Sequence, residues 1–185
     1  MADRSERQRF DVDTAVAELE RHLVRLGTRE RAAGEKRYLK SDLEFLGVTV
    51  PDIRREAKAF ARAHPNLERA DLLALTAALW QTRVHDLRSV AIAILELTSA
   101  RLGDRDSADL IALVRDAKTW AHVDWLATKV LGSLVAREPK TKKRLAGWAR
   151  DPTSGSAAPP CCVYTIPSSR AAATSSCSPN SPPPC

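Results

Sequence analysis

The sequence contains no uninterrupted apolar run of 18 residues, so it offers no helix suited to crossing a bilayer. Its N-terminus, Met1 to Asp13, is polar and charged and holds no apolar stretch for a secretory signal. The expectation is a soluble cytoplasmic protein with no membrane partner. Glycine occupies only 7 positions and aromatics only 5% of the chain, and neither a glycine-rich phosphate loop nor a G-x-S-x-G turn occurs. His22, His64, His85 and His122 are scattered without metal-ligand spacing, so neither a metal nor a cofactor is expected. Cysteine is absent before Cys161. Acidic residues are in deficit: 29 Lys and Arg stand against 23 Asp and Glu, a net charge of +6. That excess favours an anionic partner without identifying it. What is present, 44% apolar and 28% charged residues over a length of 185, suits one folded domain with a tail.

Composition changes sharply near residue 152. From Pro152 to Cys185 there is no Asp, Glu, Lys or Leu and a single arginine, Arg170. The same stretch holds Cys161, Cys162, Cys177 and Cys185 and most of the prolines. A Pro/Ser/Ala tract without leucine has nothing with which to form a core and reads as disordered. The four cysteines lack paired C-x-x-C spacing and no histidine follows His122, so disulfide and zinc readings are set aside. A reading frame offset by two nucleotides from Thr153 onward is able to encode paired arginines and leucines that continue the preceding composition. The tail, 152–185, is therefore expected to be a frameshift product, which sequencing across codon 152 tests. The remaining segments are a flexible N-terminus, 1–12, and a helical domain, 13–151.

Within that domain the apolar spacing is helical throughout. Val16, Leu19, Leu23 and Leu26 fall three and four apart. A second helix includes Tyr38 and is expected to end at Gly47. Pro51 fits the first turn of a helix over 51–63, closed by His64 and Pro65. Further helices are expected over 69–81, 85–101, 106–116 and 120–136, with Leu145 and Trp148 on a last short one. The pairs 69–101 and 106–136 repeat a short helix followed by a longer apolar one, offset by about 37 residues. The fold class is all-α, with HEAT-like helical hairpins stacked as a curved solenoid. One hairpin does not bury its apolar stripe alone, so neighbours must stack. An irregular helical bundle is the rival that periodicity leaves open.

The segment Lys118-Thr119-Trp120-Ala121-His122-Val123-Asp124-Trp125 is the richest in chemistry. Thr119 is placed as an N-cap. Trp120 and Asp124 are four apart and share one helix face. An indole beside a carboxylate suits a cationic, planar substrate: the ring attracts the cation, and the anion stabilises positive charge developing nearby. An N-alkylated purine nucleotide has these properties. On the residues alone, a packed tryptophan beside a solvated aspartate explains the same spacing.

Three segments together resemble the DNA alkylation repair family of HEAT-like-repeat alkylpurine DNA glycosylases. They are Arg37-Tyr38-Leu39-Lys40 through Phe45-Leu46-Gly47-Val48 and Pro51-Asp52-Ile53-Arg54-Arg55; Leu79-Trp80 through His85-Asp86-Leu87-Arg88 and Ala91-Ile92; and Lys118-Thr119-Trp120 through Val123-Asp124 and Leu131-Gly132. The resemblance covers roughly residues 14 to 151. It implies hydrolysis of the glycosidic bond of N3- and N7-alkylated purines in double-stranded DNA, without metal or cofactor. It places Asp124 as the catalytic aspartate, Trp120 as an active-site tryptophan and Tyr38 on the DNA-facing surface. The family also draws an arginine and a further tryptophan from repeats beyond residue 151, whereas Thr153 to Pro160 contains no arginine. The resemblance thus implies a C-terminally truncated member with impaired activity.

Phosphate contacts are expected from Lys36, Arg37 and Lys40 near Tyr38, from Arg83, Arg88 and Lys118, and from the run containing Lys142 and Lys143. Such contacts position a duplex without reading its sequence. A monomer is expected. The competing functional class is a non-enzymatic helical-repeat module that binds DNA or protein, in which Trp120 and Asp124 only pack.

Overall fold

The computed structural model describes residues 10–150, and the tail and the first nine residues lie outside them. The expectations of disorder and frameshift for 152–185 therefore fall on residues outside the described chain. The elements are α1 (Val12–Leu26), α2 (Arg29–Leu39), α3 (Val50–Ala63), α4 (Arg69–Gln81), α5 (His85–Leu97), α6 (Ser107–Asp116), α7 (Trp120–Trp125), α8 (Gly132–Arg137) and α9 (Pro139–Ala149). Two short 3-10 turns, Ser99–Arg101 and Asp104–Asp106, link α5 to α6. No strand occurs among the described residues beyond one isolated bridge between Glu44 and Val84. The all-helical expectation holds.

Local sequence explains most of the boundaries. Side chains of Asp11, Thr28, Thr49 and Thr119 accept from backbone N–H groups that the first helical turn leaves without partners. Pro51 sits in the first turn of α3, where its missing N–H is no loss. Phe10 meets Phe60 and His64 edge-on, at 6.2 and 5.3 Å between ring centres. These contacts hold Phe10, the first described residue, against the end of α3.

The Tyr38 helix ends earlier than expected. It stops at Leu39, and Lys40 takes the left-handed conformation at φ 48°. Gly47 does not terminate it; Gly47 adopts φ 78° in the following loop, where a Cβ would come within 2.3 Å of the Thr28 carbonyl oxygen. The constraint on it is thus the close approach of the loop to the start of α2.

The stack is built around α5. It packs against α3 on one side, α4 behind, and α7 with the following turn on the other side. Every residue from His85 to Leu95 is buried, as expected of a helix with neighbours on all faces. The apolar core runs without a break from Leu19 and Leu23 through Leu79, Leu87 and Ile94 to Leu134 and Leu145.

Polar contacts between hairpins reveal the repeat. Arg69 pairs with Asp106, 37 residues on. Trp80 Nε1 donates to Asp116, 36 on, at 2.9 Å, and Thr141 Oγ1 donates to Asp104, 37 back, at 3.0 Å. Arg101 reaches the Pro65 carbonyl, 36 back, and Arg137 that of Ser99, 38 back. These separations match the period of about 37 expected for stacked hairpins.

The helix expected over 120–136 is interrupted. Residues Leu126–Leu131 form a π turn, in which Gly132 N–H donates to Ala127 five residues back. Thr128 Oγ1 donates to the Asp124 carbonyl at 2.8 Å at the start of this turn. Such bulges shift the faces of a helix relative to one another, and this one follows directly after Asp124 and Trp125.

Candidate active site and nucleic-acid interface

At about 100° per residue, Trp120 and Asp124 lie about 40° apart around α7, and His122 lies opposite them. Burial follows that wheel: Trp120 and Asp124 are exposed and His122 is buried. Trp120 keeps 58% of its surface and Tyr38 71%, the largest exposures among large apolar side chains described. The two rings meet edge to face, 5.8 Å between centres at 78°. The fold thus brings together two residues 82 apart in sequence, from α2 and α7. The Asp124 carboxylate makes no hydrogen bond or ion pair among the described residues; only its carbonyl is engaged, by Thr128.

The buried side of α7 rests on aromatic and polar contacts. Thr119 Oγ1 accepts from His122 N–H at 3.3 Å. His122 Nε2 lies 3.0 Å from Ser89 Oγ. Its ring stacks on His85 at 4.4 Å, and His85 stacks on Phe45 at 4.6 Å. Burial pushes the His122 imidazole down to about 3, and the neighbouring His85 ring and the Arg88 charge act in the same direction. Burial also pushes His85 below its usual value. Both are neutral rings at neutral pH and serve as packing surfaces. Sequence reasoning passed over them, although their separation of 37 residues equals the repeat and marks equivalent places in successive hairpins.

On the flank of α7, Trp125 Nε1 donates to Glu96 Oε2 at 2.7 Å. Arg54 pairs with the same Glu96 oxygen at 3.2 Å and lies over the Trp125 ring at 4.9 Å. These three residues come from α3, α5 and α7. Nothing in the linear sequence joins them, since each is separated from the next by at least 29 residues.

The basic residues divide into two kinds. Lys36, Arg37 and Lys40 are exposed on the last turn and cap of the helix that carries Tyr38. Lys118 is exposed two residues before Trp120 and pairs loosely with Asp116 at 3.4 Å. Arg83 is exposed at φ 58° and pairs with Asp42, which holds that carboxyl below its usual range. Lys142 and Lys143 are exposed on α9, a different hairpin that packs on α8.

Arg88 corrects the expectation of a phosphate contact. It is 3% exposed, lies over the Trp80 ring at 4.8 Å, and donates to Asp116 Oδ2 at 3.2 Å. Trp80 Nε1 donates to the same carboxylate oxygen. A phosphate has no access to this guanidinium; it fixes the Asp116–Thr119 loop from which α7 starts.

One group of side chains approaches metal-ligand spacing: atoms of Glu35, His85 and Asp86 lie within 4.8 Å of one another. Both Asp86 oxygens already accept 2.8 Å bonds from Leu46 and Val48 N–H groups. Arg31 holds one Glu35 oxygen at 2.7 Å. The cluster therefore ties α2 and its following loop to α5 beneath Tyr38. No described helix is long and apolar enough to cross a membrane.

The family model described as DNA alkylation repair enzyme matches residues 19–154, a span that includes Tyr38, Trp120 and Asp124 and ends just inside the leucine-free stretch. No curated protein matches the chain.

Proposed function

Because the chain belongs to the DNA alkylation repair enzyme family, we propose that it is a DNA glycosylase hydrolysing the N-glycosidic bond of N3- and N7-alkylated purines in double-stranded DNA. A role in DNA repair follows from the family itself. The glycosylase reading is carried by one observation: an exposed, unpaired Asp124 carboxylate one helical turn from an exposed indole.

Alkylation at N3 or N7 leaves the purine positively charged. The base then departs as a neutral molecule with the electron pair of the bond to C1′, and no acid need protonate it. Positive charge passes to C1′ and the ring oxygen of the deoxyribose. A fixed carboxylate whose charge is not cancelled by a neighbouring lysine or arginine stabilises that charge. Water adds to C1′ and gives its proton to the carboxylate. Trp120 and Tyr38 supply aromatic surface against the cationic nucleotide. Lys36, Arg37, Lys40, Arg83 and Lys118 hold the flanking phosphates.

The test is release of 7-methylguanine from duplex DNA under excess protein. Wild-type protein is expected to release the base, and Asp124→Asn to slow release about a hundredfold or more, with binding to undamaged duplex unchanged. Equal release by the variant would remove Asp124 from the chemistry. Binding without release by wild-type protein would favour the non-enzymatic module.

A further inference from the structure

We propose that Arg54, Glu96 and Trp125 form a positioning clamp that sets the rotation of α7, and with it the aim of Asp124. The inference rests on the glycosylase reading for its functional consequence, though not for its structural one.

Six residues, Trp120–Trp125, make up α7 before the π turn. The right-handed helical backbone continues through Leu126 into that turn, but a hydrogen-bond ladder within one helix does not fix the helix's rotation against its neighbours. Its direction must come from side chains that reach neighbouring helices. His122 supplies one anchor on the side opposite Trp120 and Asp124. A single anchor leaves rotation about the axis through it. Trp125 supplies the second, about 60° from His122 around the helix. Its indole is held at two points, by the 2.7 Å bond from Nε1 to Glu96 and by the Arg54 guanidinium at 4.9 Å over the ring.

Arg54 and Glu96 are themselves joined at 3.2 Å, so one triad spans three adjacent helices. Glu96 keeps 24% of its side-chain surface, and charge-assisted bonds in such partly dry surroundings are stronger than exposed ones. Trp125 adjoins Asp124 in sequence, at the point where regular α hydrogen bonding gives way to the π turn. Small rotations there move the Asp124 carboxylate laterally. None of the three side chains needs to touch the nucleotide.

The full-length chain is used in two measurements. In the first, amide and indole N–H resonances are recorded for wild type, Glu96→Ala, Glu96→Gln and Leu75→Val. The last trims the core on α4, away from the triad. Glu96→Ala is expected to shift the Trp125 indole resonance and the amides from Trp120 to Asp124. Glu96→Gln keeps an acceptor for the indole and is expected to shift them far less; Leu75→Val is expected to leave them in place. Unmoved α7 amides in Glu96→Ala, or equal movement in Leu75→Val, overturn the clamp.

In the second, 7-methylguanine release is followed at increasing protein concentration. Glu96→Ala is expected to lower the saturating rate roughly ten- to hundredfold with the half-saturating concentration unchanged. Glu96→Gln is expected to recover most of the rate, and Leu75→Val to lower the melting temperature while leaving the saturating rate unchanged. A rise in half-saturating concentration alone makes the triad a DNA contact and overturns the positioning role. If wild-type protein releases no base while the resonances behave as expected, the glycosylase reading falls and the clamp stands.

Discussion

His122 has an ordinary side chain in an extreme setting. Its ring is 1% exposed, and burial holds the folded-state value near 3 against 6.5 for a free imidazole. As pH falls below 6.5 the unfolded chain takes up a proton that the folded chain refuses until about 3. The stabilisation is complete above the unfolded value and is lost through that window at about 1.4 kcal/mol per pH unit. His85, shifted the same way, acts in the same direction. Melting temperature measured from pH 7 to 4.5 is expected to fall steadily, and His122→Asn to flatten the slope. A wild-type curve as flat as the variant's would show that the ring is not kept neutral. The Trp120–Asp124 spacing was legible at this scale because the two positions share a helix face in any α-helix. The burial of Arg88 was not, because a charged residue on a helix looks solvated until the neighbours on each side of α5 are known.

Among the elements, α7 carries the proposed catalytic pair, and its first turn depends on Thr119. That hydroxyl accepts from His122 N–H and is itself 4% exposed. Thr119→Ala is expected to lower stability by about 1 kcal/mol, read by chemical denaturation, and to slow base release with little change in DNA affinity. Thr119→Ser, which keeps the acceptor, is expected to behave as wild type. Helix positions were legible from apolar spacing, and the Thr119 cap from its place just before Trp120. Two features escaped. The π turn after Trp125 has no apolar signature, since Leu126, Val130 and Leu131 suit an unbroken helix equally well. Gly47 looked like a helix stop, whereas the requirement on it comes from Thr28, distant in sequence and close in space.

At the scale of the molecule, hairpins are joined along their edges by polar contacts as well as through the core. Arg69 with Asp106, Glu138 with the Asp104 N–H, and Arg144 with Asp104 each tie one hairpin to the next. Such a stack is stabilised by each unit and by each junction. The period legible in the sequence predicted the junctions, but not which polar residues make them. Helix α5 occupies the middle of this arrangement and has no solvent face from His85 to Leu95. In heavy water its amides have no local route to deuteration, so they are expected to be the slowest in the chain, and to report the opening of the whole stack. Amides of α2, which buries none of its residues, are expected to label far earlier. The helix that carries Tyr38 is therefore expected to breathe while the spine behind Asp124 stays shut.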